Sequence, residues 1–107
     1  MNSEESANSK ERIWQIVYQI PQGNVASYGQ VAKMADLPGY ARYVGYVMKT
    51  LPADTKLPWY RVVNSQGRIS FVLGTSQYLR QKSLLEAEGI VFIGGRISMK
   101  KYRWQLN

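Results

Sequence analysis

Neither cysteine nor histidine occurs among the 107 residues. Their absence excludes disulfides, Cys/His zinc sites, thiolate nucleophiles and serine–histidine triads, which closes most familiar routes to catalysis. No metal site and no cofactor is expected from what remains. Acidic residues are scarce, seven against 14 Lys and Arg, and Glu4 and Glu5 account for two of the seven. Long apolar runs are missing as well. The longest wholly aliphatic or aromatic stretch, Ile90 to Ile93, is far too short to cross a bilayer. The opening Met1-Asn2-Ser3-Glu4-Glu5 lacks the basic and apolar regions of a signal peptide. The expected location is therefore the cytoplasm, with no membrane partner.

What is present has the size of one domain with a modest core, 12.2 kDa, and a composition that is globular rather than disordered. The net charge is +7 and the pI is about 9.8. Every basic group lies between Lys10 and Arg103, so the folded part is more cationic than the chain as a whole. Such a surface suits a polyanion, and nucleic acid, anionic lipid and an acidic protein all satisfy that description.

Residues 1–8, rich in Ser, Asn and Glu, read as a disordered tail, and residues 9–107 as a single domain. Ile13, Ile16, Val17 and Ile20 fall at i, i+3, i+4 and i+7, the apolar face of a first helix that Pro21 and Gly23 stop. Ser27 can cap a second helix over 28–35, which breaks at Asp36-Leu37-Pro38-Gly39. A third helix repeats the pattern with Val44, Val47, Met48 and Leu51, leaving Arg42, Gly45, Tyr46 and Lys49 together on its other side. Two short helices joined by a Gly-containing turn describe a helix-turn-helix, although any helical hairpin looks alike at this level. Tyr60 to Val63, the turn Asn64-Ser65-Gln66-Gly67 and Arg68 to Phe71 predict a β-hairpin, or wing. A fourth helix is predicted over 75–88 with Gly89 as its cap, followed by a second hairpin around Gly94-Gly95. The predicted class is mainly α with small β-hairpins, a winged helix-turn-helix.

Three stretches carry a resemblance. The run 21–32, Pro-Gln-Gly-Asn-Val-Ala-Ser-Tyr-Gly-Gln-Val-Ala, precedes Ala41-Arg42-Tyr43-Val44-Gly45 and Pro58-Trp59-Tyr60-Arg61-Val62-Val63. In that order and spacing they resemble the DNA-binding domain of the O6-alkylguanine-DNA alkyltransferases. Leu84 to Gly89 and Tyr102-Arg103-Trp104 extend the likeness over roughly residues 10–104. In the transferases a Pro-Cys-His-Arg-Val motif supplies the acceptor thiolate, activated through His and a Glu. Here Trp59 stands at the Cys position, Tyr60 at the His position, and Glu88 matches the Glu. Trp at that place marks the alkyltransferase-like proteins, which bind O6-alkylguanine in DNA without repairing it.

The resemblance implies a monomer that binds double-stranded DNA containing O6-alkylguanine in the minor groove and flips the damaged nucleotide. It also implies a hand-over to nucleotide excision repair proteins and association with the nucleoid when DNA is bound. Arg42 would enter the duplex in place of the extruded base, and Tyr28 would crowd its phosphate to drive rotation. Ala41, Gly45, Tyr46 and Lys49 would face the DNA from the third helix, with Ser65 and Arg68 contacting phosphates from the wing. Tyr28, Trp59, Tyr60, Arg61, Val62 and Phe71 would form the lesion pocket, with Arg61 pairing a carboxylate or backbone group at its floor. The sequence departs from the family at Tyr46, where a small residue is usual, and at Leu51, which replaces a hinge asparagine. The stretch Ser70 to Thr75 is about two residues longer than usual. Two other readings fit the residues: a winged-helix transcription regulator without lesion specificity, and a hydrolase in which Glu88 activates water.

Overall fold

The computed structural model of the chain describes the backbone of residues 3–106 and the side chains of residues 8–106. The first helix, α1, spans Ser3–Gln19, so it begins earlier than the apolar periodicity predicts. Of the expected tail, residues 1 and 2 lie outside the described residues, and the remainder is helical instead. No Pro or Gly stands between Ser3 and Ser9 to break the helix, so its backbone runs on past the core-facing residues. That face is as predicted: Ile13, Val17 and Ile20 are buried, with Ile16 packed beside them.

Strand β1 (Ala26–Ser27) leads directly into α2 (Tyr28–Met34), and the Ser27 hydroxyl accepts from the Gln30 N–H at 3.0 Å as its N-cap. Arg12 of α1 donates to the Ala35 and Asp36 carbonyls and so closes the other end of α2. Asp36 and Gly39, both at positive φ, turn the chain into α3 (Ala41–Lys49). Val44 and Val47 face inward, while Arg42, Tyr46 and Lys49 are exposed, as their spacing predicts.

The wing departs from prediction. Residues 59–61 form a 3-10 turn, and β2 (Val62–Val63) pairs in parallel with β1, Ala26 opposite Val62 and Ser27 opposite Val63. No return strand forms at 68–71. The Asn64 side chain instead accepts from the Gln66 and Arg68 N–H groups, which makes 64–68 a tight turn and satisfies donors that a ladder would use. Gly67 in that turn has φ +81°, and a Cβ there would overlap the Ile97 carbonyl oxygen. The position is closed to other residues on both counts.

Helix α4 (Ser76–Ala87) is capped by Thr75 and ends at Gly89 with positive φ. The second hairpin forms as predicted, β3 (Phe92–Ile93) against β4 (Arg96–Ile97), and a one-turn helix α5 (Met99–Tyr102), absent from the prediction, follows the Ser98 cap. The last segment returns to β1: Val25 donates to the Tyr102 carbonyl and Trp104 donates to the Val25 carbonyl.

Strand alternation divides the interior. Ala26 and Val62 point into a core with α1, α2, α3 and Trp104, whereas Val25 and Val63 point into a second core with Leu85, Ile90 and Ile97. The β1–β2 ladder is thus the wall between a helical half and a wing half. Among the described residues no helix is long and apolar enough to cross a membrane, and no group of acidic side chains could hold a metal ion.

Candidate nucleic-acid interface and base pocket

The exposed face of α3 opens onto a groove of about 480 Å³ lined by Tyr28, Ala41, Arg42, Gly45, Tyr46 and Lys49, with Ser70 opposite. The structure therefore brings together six of the predicted DNA-facing residues. Arg42 and Lys49 put two cations there and no carboxylate lines it, so the groove attracts phosphate. Gly45 sits over the Tyr28 ring, where an added Cβ would make ordinary contact at 3.8 Å. The bulky Tyr46 is accommodated by stacking on Tyr43, centroids 6.3 Å apart, which holds its ring along the helix.

Behind this groove Tyr28, Gly45 and Met48 meet Trp59, Val62 and Phe71 around a cleft of only about 30 Å³. That is room for water and not for a base. Trp59 stands edge-on to Phe71 at 6.4 Å and to Tyr60 at 5.8 Å, so the indole forms a flat wall shared with its neighbours. Ser70, from the stretch expected to form the pocket's outer wall, lines it, while Met48 and the buried Gln81 are lining residues that sequence reading missed. Gln81 donates to the Tyr60 and Val62 carbonyls and thereby fixes the turn that presents Trp59.

Tyr60 and Arg61 do not line the cleft. Arg61 forms a two-pronged pair with Glu88, Nη2 to Oε2 at 2.6 Å, and donates to the Ile20 carbonyl. Glu88 also accepts from the Tyr60 hydroxyl and the Gly23 N–H. Burial opposes ionisation of Glu88, but the Arg61, Gly23 and Tyr60 donors together hold its carboxyl below the ordinary range. Burial and the bond to Glu88 push the Tyr60 phenol up, which keeps it protonated. Tyr60 therefore serves as a donor, and the carboxylate is fully engaged.

Of the wing residues, Ser65 and Arg68 are both exposed on the 64–68 turn. Ser65 lines a separate groove with Ile93, Arg96 and Lys101 rather than the groove of α3. The loop after α3 is held without the hinge asparagine: Thr50 donates to the Val47 carbonyl, and Thr55 donates its N–H to the Pro52 carbonyl and accepts from the Leu57 N–H.

A helix-turn-helix whose cationic outer helix overhangs an aromatic cleft defines a small DNA-binding domain. Residues 8–90 match the model of the 6-O-methylguanine DNA methyltransferase DNA-binding domain, and the chain belongs to that family. It is 53% identical over 95 residues to a protein of Vibrio parahaemolyticus named DNA base-flipping protein, covering 88% of this chain and 93% of that one. It is 37% identical over 99 residues to alkyltransferase-like protein 1 of Schizosaccharomyces pombe, covering 88% and 92%. The crystal structure of S. pombe Atl1 with damaged DNA containing O6-carboxymethylguanine superimposes with a TM-score of 0.87 at 34% identity, over 99% of this chain and 100% of that one.

Proposed function

We propose that this protein is a non-enzymatic sensor of DNA damage that docks α3 in the minor groove, flips O6-alkylguanine into the Trp59 cleft and holds it for nucleotide excision repair. The observation that carries the reading is Trp59 itself. It forms a wall of the cleft behind the α3 groove, at the position where the transferases carry their acceptor thiolate. An indole there offers a stacking surface and no nucleophile.

The remaining parts have matching roles. No side chain caps α3, so the N–H groups of its first turn are open to a phosphate, and Lys49 adds a charge at its other end. Arg42, exposed at the start of α3 above Tyr28, fills the gap left by the extruded base. Arg61 and Tyr60 act from behind, through Glu88, to hold the 3-10 turn against α1 and α4. The same bonds speak against hydrolysis, because a carboxylate saturated by Arg61, Tyr60 and Gly23 has no free lone pair directed at a water. The protein acts as a monomer on DNA in the cytoplasm.

The test is binding to a duplex carrying one O6-methylguanine, compared with its unmodified twin, followed by mass analysis of the recovered DNA and protein. Preferential binding with both masses unchanged is expected. Alkyl transfer to any residue, or loss of the lesion, would overturn the non-enzymatic assignment, and equal binding of the two duplexes would overturn the lesion reading.

A further inference from the structure

A groove of about 620 Å³, larger than the one at α3, lies on the wing half between the β3–β4 hairpin, α5 and the 64–68 turn. It shares no lining residue with the α3 groove or the base cleft. Its apolar surface comes from Val91 and Ile93 on the hairpin and from Ile97, Met99 and Tyr102, which belong to the second core or pack against it. Ile93 is 79% exposed and Val91 55%, large values for branched aliphatic side chains. Standing two residues apart, they share one face of the strand, the face turned away from Phe92 and its core contacts. Around them are Arg96, which pairs with Ile93 across the ladder, and Lys100 and Lys101 of α5, all three exposed. No carboxylate lines the groove, and among the described residues none of these three cations is in an ion pair.

We propose that this groove docks a partner protein through a short acidic segment, whose aliphatic side chains cover Val91 and Ile93 while its carboxylates meet Arg96, Lys100 and Lys101. The charge selects the sign of the occupant, and a second copy of this chain, at +7, brings the wrong one. A DNA backbone would satisfy the cations and leave the aliphatic surface unmatched. An apolar patch rimmed by charge is instead the anatomy of a protein–protein contact. Lys101 lies over the Tyr102 ring, 5.2 Å from its centroid, which keeps its ammonium at the edge of the apolar floor. The β1–β2 wall separates the two functions: α3 packs on the first core, and the groove backs onto the second. Both faces are therefore open to occupation at once. The inference goes beyond the lesion reading and stands without it, since it names where a DNA-bound molecule is gripped by a second protein.

The test follows amide chemical shifts of the isotope-labelled protein as three peptides of equal length are titrated in at fixed salt. One repeats Asp-Leu-Glu-Val, the second Asp-Ser-Glu-Gly and the third Lys-Leu-Arg-Val. Saturable shifts over residues 91–102 are expected with the first alone. Ile93→Ser and Arg96→Gln, both at exposed positions outside the DNA-facing residues, should each weaken that peptide about tenfold, the worth of one buried aliphatic side chain or one charged hydrogen bond. Duplex affinity should change by less than about twofold in either variant, the scatter of independent sites. Arg96→Gln keeps the test decisive should Ile93→Ser loosen the hairpin. Equal shifts with both acidic peptides would make the groove a mere field of positive charge, and no shifts, or shifts confined to α3, would leave it without a ligand. A loss of duplex affinity as large as the loss of peptide affinity would make it a DNA contact. Each of these overturns the inference. The preference of wild type for O6-methylguanine duplex, measured alongside, tests the lesion reading separately, and either reading can fail while the other holds.

Discussion

Arg42 illustrates how a residue can be poorly placed for folding and well placed for binding. It occupies the first turn of α3, where the helix dipole disfavours a cation, and no carboxylate offsets it. Arg42→Ala should therefore cost the fold almost nothing while removing most of the preference for damaged DNA, about 1–3 kcal/mol, and leaving nonspecific binding. Paired affinity and thermal-unfolding measurements check it: a variant with unchanged Tm that still prefers the lesion as strongly as wild type sinks the role. Residues such as Arg42, Gly45, Tyr46 and Lys49 are legible in sequence because helical spacing alone puts them on one face. Met48 and Gln81 are not, since their meeting with Trp59 depends on how α3 and α4 close over the turn between them. Tyr60 and Arg61 show the opposite limit. Adjacency to Trp59 in the chain puts them in the predicted pocket, but a 3-10 turn rotates successive side chains apart and sends both toward Glu88.

Among elements, the Arg61–Glu88 pair ties three together: the end of α1 through the Ile20 carbonyl, the turn bearing Trp59, and the C-terminal cap of α4. Glu88→Gln would leave the largely buried guanidinium without its counter-charge, at a cost of roughly 3 kcal/mol. The pH dependence has a definite sign. Because Glu88 titrates lower in the folded chain than in the unfolded one, the unfolded state takes up the proton first as the solution is acidified. Its stabilisation is complete above the ordinary glutamate pKa of about 4.3 and is lost as pH falls through the depressed value. Denaturant unfolding of wild type and E88Q should therefore converge in acid, and a constant difference across the acid range would refute the assignment. Helices α1, α3 and α4 were readable because each presents apolar residues or caps at helical spacing. The β1–β2 ladder was not: two pairs, joined across more than thirty residues, are too short for any period to appear. Val62 and Val63 look like half of a local hairpin for that reason, and one-turn α5 is hidden by the same brevity.

For the whole molecule the net charge of +7 becomes a measurable slope. With about 4 to 6 phosphates met by Lys49, wing residues and first-turn amides, log affinity should fall against log salt with a slope of roughly −4 to −5. A flat plot would exclude a phosphate-docked mode, and because phosphates carry no sequence information the slope should be shared by unrelated duplexes. The cleft behind α3 has a different consequence. At about 30 Å³ it admits a water molecule and no purine, so the free protein stands with its door shut. On the proposed reading, a base enters only after lining side chains such as Phe71 and Met48 give way, and the encounter with DNA separates into two events. On that reading docking would be indifferent to damage, whereas opening would be unimolecular and would cap the rate however much DNA is supplied. A sliding protein so built interrogates each guanine briefly and commits only where a base lingers outside the stack, so that discrimination resides in dwell time as much as in affinity.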